Sequence, residues 1–378
     1  MSKNKLSTIQ SFIKKEIVLV ISFVLALISC FFVPISKEYV SYIDLRVLTL
    51  LFCLMLIVAG FRSIGFFYVL ANKLFKFSHT IRSTACVFVM MCFFGSMFIT
   101  NDVSLILFVP FSIFVLKEQL SSKLFIFLVI LETIAANLGS MLTPIGNPQN
   151  LYIYSRYNFT ISQFVMIMLP YTLAAFVLLL ACSLLFPSDS ISGLRRLDDS
   201  MEQPRNIVAS YVVYTVLFVL VLTTIARITP YYISLIVCLV AVVVNDRKLL
   251  SQVDYSLIMT FVFFFVLVGN MKHIPAINDY ITSVLQGHEL GTSIIASQFI
   301  SNVPAAILLS SFTNKAKLLL IGVNIGGLGT MIASMASLIS YKFYAKEKGS
   351  KILSYFLWFT LFNIAFLAVL VGVYIITF

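Results

Sequence analysis

Asn137-Leu138-Gly139-Ser140-Met141-Leu142-Thr143-Pro144-Ile145-Gly146-Asn147-Pro148-Gln149-Asn150 is an unexpected run in a chain this greasy. Pro144, Gly146 and Pro148 cannot all sit in a helix interior, because proline lacks a backbone donor and clashes with the preceding turn, and glycine is a weak helix former. The apolar sequence on either side should be helical, so the run predicts a helix that unwinds and then resumes. A shorter relative of it reads Asn324-Ile325-Gly326-Gly327-Leu328-Gly329-Thr330. With Asn137 laid on Asn324, Gly139 falls on Gly326, Thr143 on Thr330, Ile145 on Ile332, Asn147 on Ser334 and Leu151 on Leu338. Each copy follows a second polar interruption, Thr100-Asn101-Asp102-Val103 before the first and Ser301-Asn302-Val303-Pro304 before the second. The chain carries a doubled motif.

Composition sets the medium. Hydrophobic residues make up 60% of the 378 positions and charged residues 11%, with a mean hydropathy of +1.03. A water-soluble surface needs far more charge. A bilayer core about 30 Å thick takes roughly 20 helical residues to cross, and apolar stretches near that length run from end to end. The expectation is an all-α polytopic protein of the inner (cytoplasmic) membrane, with about 11 transmembrane helices and the lipid bilayer as its surroundings. Ile17–Ile35 reads as the first span rather than a cleaved signal peptide, since no small-residue cleavage site follows it. The six cysteines lie in apolar runs without metal-ligand spacing and read as packing residues. The formal charge of +11 comes from basic residues in short loops, which is the positive-inside pattern and not a nucleic-acid surface.

Taken in order, the chain predicts a first repeat over residues 1–186, a cytoplasmic linker over 187–206 and a second repeat with the last helix over 207–378. Within the first, spans near 17–35 and 45–60 are followed by a short interfacial helix over Ile64–Phe77. Residues 83–116 then form two apolar halves around Thr100-Asn101-Asp102. They could cross separately, but a re-entrant hairpin keeps the polar tip beside a cavity rather than abandoned. A broken helix follows over 124–157, and a long span over 161–186. The second half repeats the plan: spans near 207–225, 231–245 and 254–270, an interfacial piece over Pro275–Leu285, a hairpin over 292–312, a broken helix over 318–341 and a last span over 352–376. The N-terminus falls inside and the C-terminus outside. This topology puts Lys37, Arg46, Arg156, Arg227, Lys272, Lys315 and Lys317 outside and the rest of the 26 Lys and Arg residues inside. The two copies are then antiparallel, an inverted repeat.

Helix breaks inside a bilayer leave backbone groups without partners, and such features persist only beside a polar cavity. Half-helix N-termini suit an anion, and unwound carbonyls suit a cation. The candidate substrate and ion ligands are Thr100, Asn101, Asp102, Asn137, Gly139, Thr143, Gly146, Asn147, Ser301, Asn302, Asn324, Gly326, Gly327 and Thr330. Small polar residues also help membrane helices pack, but paired blocks in matched order favour a site. Two of the 15 acidic residues fall well inside the predicted bilayer, Asp102 and Glu132, and each is a candidate for proton or cation coupling. Asp102 maps onto Val303 and could equally cap its helix; Glu132, five residues before the break at Asn137, maps onto Leu319. His79, His273 and His288 read as interfacial residues. No His-Glu-x-x-His pair or Gly-x-Ser-Gly run suggests an enzyme, and no cofactor or resident metal is expected.

These motifs resemble the ion transporter superfamily, which holds the citrate and dicarboxylate carriers, arsenite permeases and one class of Na⁺/H⁺ antiporters. The likeness rests on Thr100-Asn101-Asp102-Val103 with Pro110, on Leu142–Asn150 and on Ser297–Ala305, and it spans nearly the whole chain. It is nearest to short bacterial inner-membrane anion permeases with a citrate-transporter-like domain. The resemblance implies an elevator-type secondary carrier, usually a homodimer, moving a small ion with H⁺ or Na⁺. In the related dicarboxylate/sodium symporters each tip reads Ser-Asn-Thr; here Asn101 and Asn302 match, but the third-position Thr is replaced by Asp102 and Val303. An organic or inorganic anion is the expected substrate, with a cation/proton antiporter as the alternative. If the inverted topology holds, cysteines placed at Ser192 and Ser350 react with a membrane-impermeant maleimide only from the cytoplasmic side; labelling of Ser350 from outside would break it.

Overall fold

The computed structural model describes residues 16–75, 78–190 and 207–377. Met1–Lys15 and most of the expected linker lie outside the described residues. Among the described residues the structure is helical, with one isolated β-bridge between Thr80 and Ser190. In chain order the helices are α1 (Ile17–Phe32), α2 (Tyr39–Tyr42), α3 (Leu45–Ser63), α4 (Phe66–Phe75), α5 (Ile81–Ile99), α6 (Asn101–Leu116), α7 (Ser122–Gly139), α8 (Pro148–Arg156) and α9 (Ile161–Ser183). They continue with α10 (Ile207–Ile225), α11 (Tyr231–Asn245), α12 (Tyr255–Lys272), α13 (Pro275–Leu285), α14 (Glu289–Ile300), α15 (Asn302–Leu309), α16 (Ala316–Ile325), α17 (Met335–Ala345) and α18 (Ile352–Thr377).

Among the described residues, seven helical segments are long and apolar enough to cross a membrane: Leu45–Ser63, Ile81–Ile99, Ser122–Leu142, Ile161–Ser183, Val208–Ile225, Tyr255–Lys272 and Ile352–Thr377. Ile17–Phe32, Asn101–Leu116, Tyr231–Asn245 and Ala316–Ile325 are apolar but shorter. Local signals set many boundaries. Thr80 caps α5 with Ser83, and Thr160 caps α9 with Gln163, each in a reciprocal box. Proline opens α8 and α13, where its missing N–H has no intrahelical partner to lose.

Several boundaries lie a few residues from the sequence reading, and two of them have a visible cause. The first span ends at Phe32 rather than Ile35, ahead of Pro34. The helix expected from 292 begins at Glu289, because the left-handed turn at Gly287 (φ +82°) lets it start earlier. Glu289 is consequently buried, although the sequence reading counted only Asp102 and Glu132 among the acidic residues well inside the bilayer.

The chain divides into two compact units. One comprises Met1–Ala59, Leu217–His288 and Ile307–Asn314. In it α1 packs along α12, with Phe23 edge-on to Phe263 at 5.1 Å. Buried Asn270 donates to Ser29 Oγ and Tyr39 Oη, both at 2.9 Å. The other unit comprises Gly60–Val216, Glu289–Ala306 and Lys315–Phe378, and it contains every candidate site residue.

That second unit is built around α7. Its membrane-length window, Ser122–Leu142, is 94% buried, against 22% for α18. A helix apolar on all sides belongs in the middle. α5, α6, α9, α17 and α18 enclose it. α18 instead turns Leu353, Leu357, Leu361 and Ile364 outward, a stripe at i+4 and i+3 spacing suited to lipid. Contact between α5 and α7 depends on Gly139: a Cβ there would meet Phe93 O at 1.9 Å. Gly139→Ala should therefore lower the melting temperature in detergent, by an overpacking cost of about 1–3 kcal/mol. Gly372→Ala, where a Cβ meets nothing within 4 Å, should leave it unchanged or raise it; equal melting of the two variants would contradict the close approach.

Candidate functional site

The polar cluster begins with two interrupted helices. Thr100 separates α5 from α6 at φ +72° and ψ 154°, and Ser301 separates α14 from α15 at φ +71°. Non-glycine residues avoid this part of conformational space, at a cost on the order of 1–3 kcal/mol. Neither is an accident of an exposed loop: Asn101, Ser301 and Asn302 are all buried. At each break the first N–H of the new helix is donated to an unwound loop. Asn101 N–H binds Gly146 O at 3.2 Å, and Asn302 N–H binds Ala333 O at 3.0 Å.

Other bonds repeat this pairing. Thr143 Oγ1 donates to Met97 O at 2.6 Å, and Thr330 Oγ1 donates to Gln298 O at 3.0 Å. A Cβ on Gly139 would strike Phe93 O and Ser96 Oγ; one on Gly326 would strike the Ile294 backbone and Ser297 Oγ. Every one of these partners occupies the position that the sequence register assigns to its counterpart. α8 and α17 then restart after extended residues, Asn147 and Ser334, which the register also pairs.

Side-chain amides join these parts. Asn137 Oδ1 accepts from Asn101 Nδ2 and from Ser334 Oγ, each at 3.0 Å. Asn324 Nδ2 donates to Asn150 Oδ1 at 2.7 Å. Asn150 Nδ2 in turn reaches Ser140 O and Thr143 O, and Asn147 Nδ2 donates to Ser140 Oγ. These partners fix which way each amide faces. They leave Asn137 Nδ2, Gln149 Nε2, Asn147 Oδ1 and Asn324 Oδ1 buried without a partner. Two amide donors and two amide acceptors are thus buried without a protein partner, where an unmade hydrogen bond costs about 1–3 kcal/mol each.

The structure brings Asn101, Asn137, Gly139, Thr143, Gly146 and Asn147 together through these contacts, and likewise Ser301, Asn302, Asn324, Gly326 and Thr330. Gly327 lies against Asn302, where an added Cβ would stand 2.9 Å from the amide nitrogen. Asp102 stands half-buried in the first turn of α6, and its N–H donates to Asn101 Oδ1 at 2.9 Å. A carboxylate there complements the positive helix end. Glu132 is apart from the cluster, five residues before Asn137 on α7.

Sequence reasoning passed over four participants. Gln298 uses Oε1 to accept from Thr330 N–H and Nε2 to reach the carbonyls of Gly326 and Leu328, all at 2.9 Å. Asn150, Gln149 and Ser334 are the others. Asn150 and Gln149 stood inside the quoted run, and their position after its last proline was the available signal.

A family model described as "Citrate transporter" matches residues 11–317. "Inner membrane protein YbiR" of Escherichia coli (strain K12) is 32% identical over 82% of this chain and 83% of its own length. "Uncharacterized transporter MJ0456" of Methanocaldococcus jannaschii is 31% identical over 81% of this chain and 82% of its own. "Silicon efflux transporter LSI3" of rice (Oryza sativa subsp. japonica) is 33% identical over 40% of this chain and 32% of its own.

Removing the central acceptor tests the connectivity of the cluster. Asn137→Ala strips Asn101 and Ser334 of a shared partner and should cost about 1–3 kcal/mol. The expected result is a lower melting temperature in detergent; wild-type melting would mean the two donors had no stake in Asn137.

Proposed function

The chain belongs to the citrate transporter family and is a multi-pass inner-membrane transporter, and from that premise we propose that it is a secondary carrier moving a small ion, most simply an organic or inorganic anion, through the amide cluster. One observation carries this reading: four unsatisfied amide atoms buried between two helix breaks of matched construction. A packing motif would satisfy its own polar groups. A binding site keeps some in reserve.

In this reading α5–α6 and α14–α15 are re-entrant hairpins, and α7–α8 and α16–α17 are broken helices of two inverted repeats. The recurrence of Asn–carbonyl, Thr–carbonyl and glycine contacts at register-paired positions supports it. Asn137 Nδ2 and Gln149 Nε2, with the N-termini of α6, α8, α15 and α17, would take an anion's oxygens. Asn147 Oδ1 and Asn324 Oδ1 would face a cation moving with it. Alternating access of the elevator type follows from the family resemblance, and the driving ion is H⁺ or Na⁺.

A cation/proton antiporter is the second reading. Asp102 favours it, as does the lack of any Lys or Arg among the candidate residues. A substrate screen separates the two: thermal shift of the purified protein with citrate, succinate, phosphate, NaCl and LiCl, since a ligand stabilises the state it binds. With a ligand in hand, Asn101→Ala and Asn302→Ala should each abolish its uptake into proteoliposomes while leaving expression intact. Near-normal uptake by both variants would sink the amide-cluster site.

A further inference from the structure

Glu132 lies in the middle of α7, with none of its surface exposed. Its environment is polar but uncharged. Ser112 Oγ on α6 lies 2.9 Å from Glu132 Oε2, and the same Oγ lies 2.9 Å from Val109 O. Glu132 Oε1 is buried without a partner. The titratable groups facing the carboxyl are Cys92 on α5 and Tyr355 on α18; Tyr344 on α17 stands behind Tyr355, the two rings stacked 4.7 Å apart. α9 and α16 bring no charged group to it. Among the described residues no Lys, Arg or His lies within ion-pair distance of it.

A serine hydroxyl carries one hydrogen. If Glu132 were ionised, Ser112 would have to turn that hydrogen away from Val109 O, and a buried charge would be left with a single neutral donor. Interiors hold carboxylates only when they are paired and well hydrogen-bonded. If Glu132 is the neutral acid, its own O–H donates to Ser112 Oγ while Ser112 continues to donate to Val109 O. Both contacts are then made, in one direction, with no charge to solvate.

The second repeat shows that the fold does not need this group. Glu132 pairs with Leu319, which is equally buried at the matching place on α16. A carboxyl that the scaffold can replace by leucine, and that costs free energy to bury, calls for another explanation. It lies five residues from Asn137 on the same rigid helix, about 7.5 Å along the axis. Next to it, Thr133 Oγ1 donates to Ser340 Oγ on α17 at 2.6 Å, so the carboxyl sits among elements that also frame the amide cluster.

We propose that Glu132 is the proton-binding site of the carrier: in this conformation it holds one proton as the neutral acid, donated to Ser112, and it gives that proton up when the conformational cycle admits water to its carboxyl. The stoichiometry is one proton per site, bound as the carboxylate becomes the acid and released in the reverse step. What the proton is exchanged or carried with rests on the transport reading above; the existence of the site does not.

Infrared spectroscopy of the full chain in nanodiscs at neutral pH decides the site. A protonated-carboxyl C=O band is expected in the wild type, lost in Glu132→Gln and in Glu132→Leu, and moved to higher frequency in Ser112→Ala, which removes the acceptor. A band that persists in both Glu132 variants would overturn the proposal, and an unmoved band in Ser112→Ala would overturn the donor assignment. Proteoliposomes loaded with pyranine test coupling: citrate or NaCl added outside should change internal pH with wild type and not with Glu132→Gln. Unchanged proton movement in that variant would overturn the coupling role even with the band in place. Wild-type liposomes that take up none of the screened ions would instead count against the transport reading, while the band still decides the proton site.

Discussion

A helix interrupted within apolar surroundings leaves backbone donors and acceptors that no water can reach, each costing several kilocalories per mole if unmatched. Everything else in the larger unit answers to that constraint. The breaks at Thr100 and Ser301 add strain of their own, since both sit at positive φ. What offsets these costs is a second break placed opposite the first. Asn101 N–H finds Gly146 O, and Asn302 N–H finds Ala333 O. The break between α5 and α6 and the unwound end of α7 are therefore not separate features. Each is the hydrogen-bond partner that the other lacks.

This mutual satisfaction explains why the small residues stand where they do. For the two breaks to meet, α5 must approach the end of α7 and α14 the end of α16, and Gly139 and Gly326 leave the room. The two halves finish the closure with different chemistry. In the second, Gln298 reaches across to carbonyls and an N–H of the unwound loop; in the first, the matching position is Met97, which contributes only its backbone carbonyl. The shared backbone plan is what the constraint demands. Side chains around it are freer to diverge.

Much of this was legible in the chain because the medium simplifies the code. In hydrocarbon, a run such as Pro144-Ile145-Gly146-Asn147-Pro148 has few structural options, so the end of α7 and the restart at α8 could be placed closely from residue type alone. The same holds for the interruptions at Thr100 and Ser301. Legibility failed where geometry, rather than composition, decides. Glu289 was not among the acidic residues expected well inside the bilayer, whereas a turn at Gly287 starts α14 early and buries it. Gln298 was unremarkable in sequence; only the folded chain shows it bridging α14 to the loop after α16. The expected linker over 187–206 falls mostly outside the described residues.

The two polar blocks share their backbone contacts, and in the proposed reading their differences would account for direction and coupling. A perfectly symmetric site would offer the same ligands from both sides and no place for a second, distinct ion. Asp102 opposite Val303 and Glu132 opposite Leu319 break that equivalence, both in the first half. They do so differently: Asp102 stands at a helix start beside the amides, half-exposed, where a negative charge is tolerated. Glu132 is enclosed on the central helix, where a charge is not. In the proposed reading one carboxyl acts on a ligand's charge and the other holds a proton out of water. A carrier that links an ion to a proton, as proposed above, would need both capacities, kept apart yet on connected elements, and α6 and α7 would supply them.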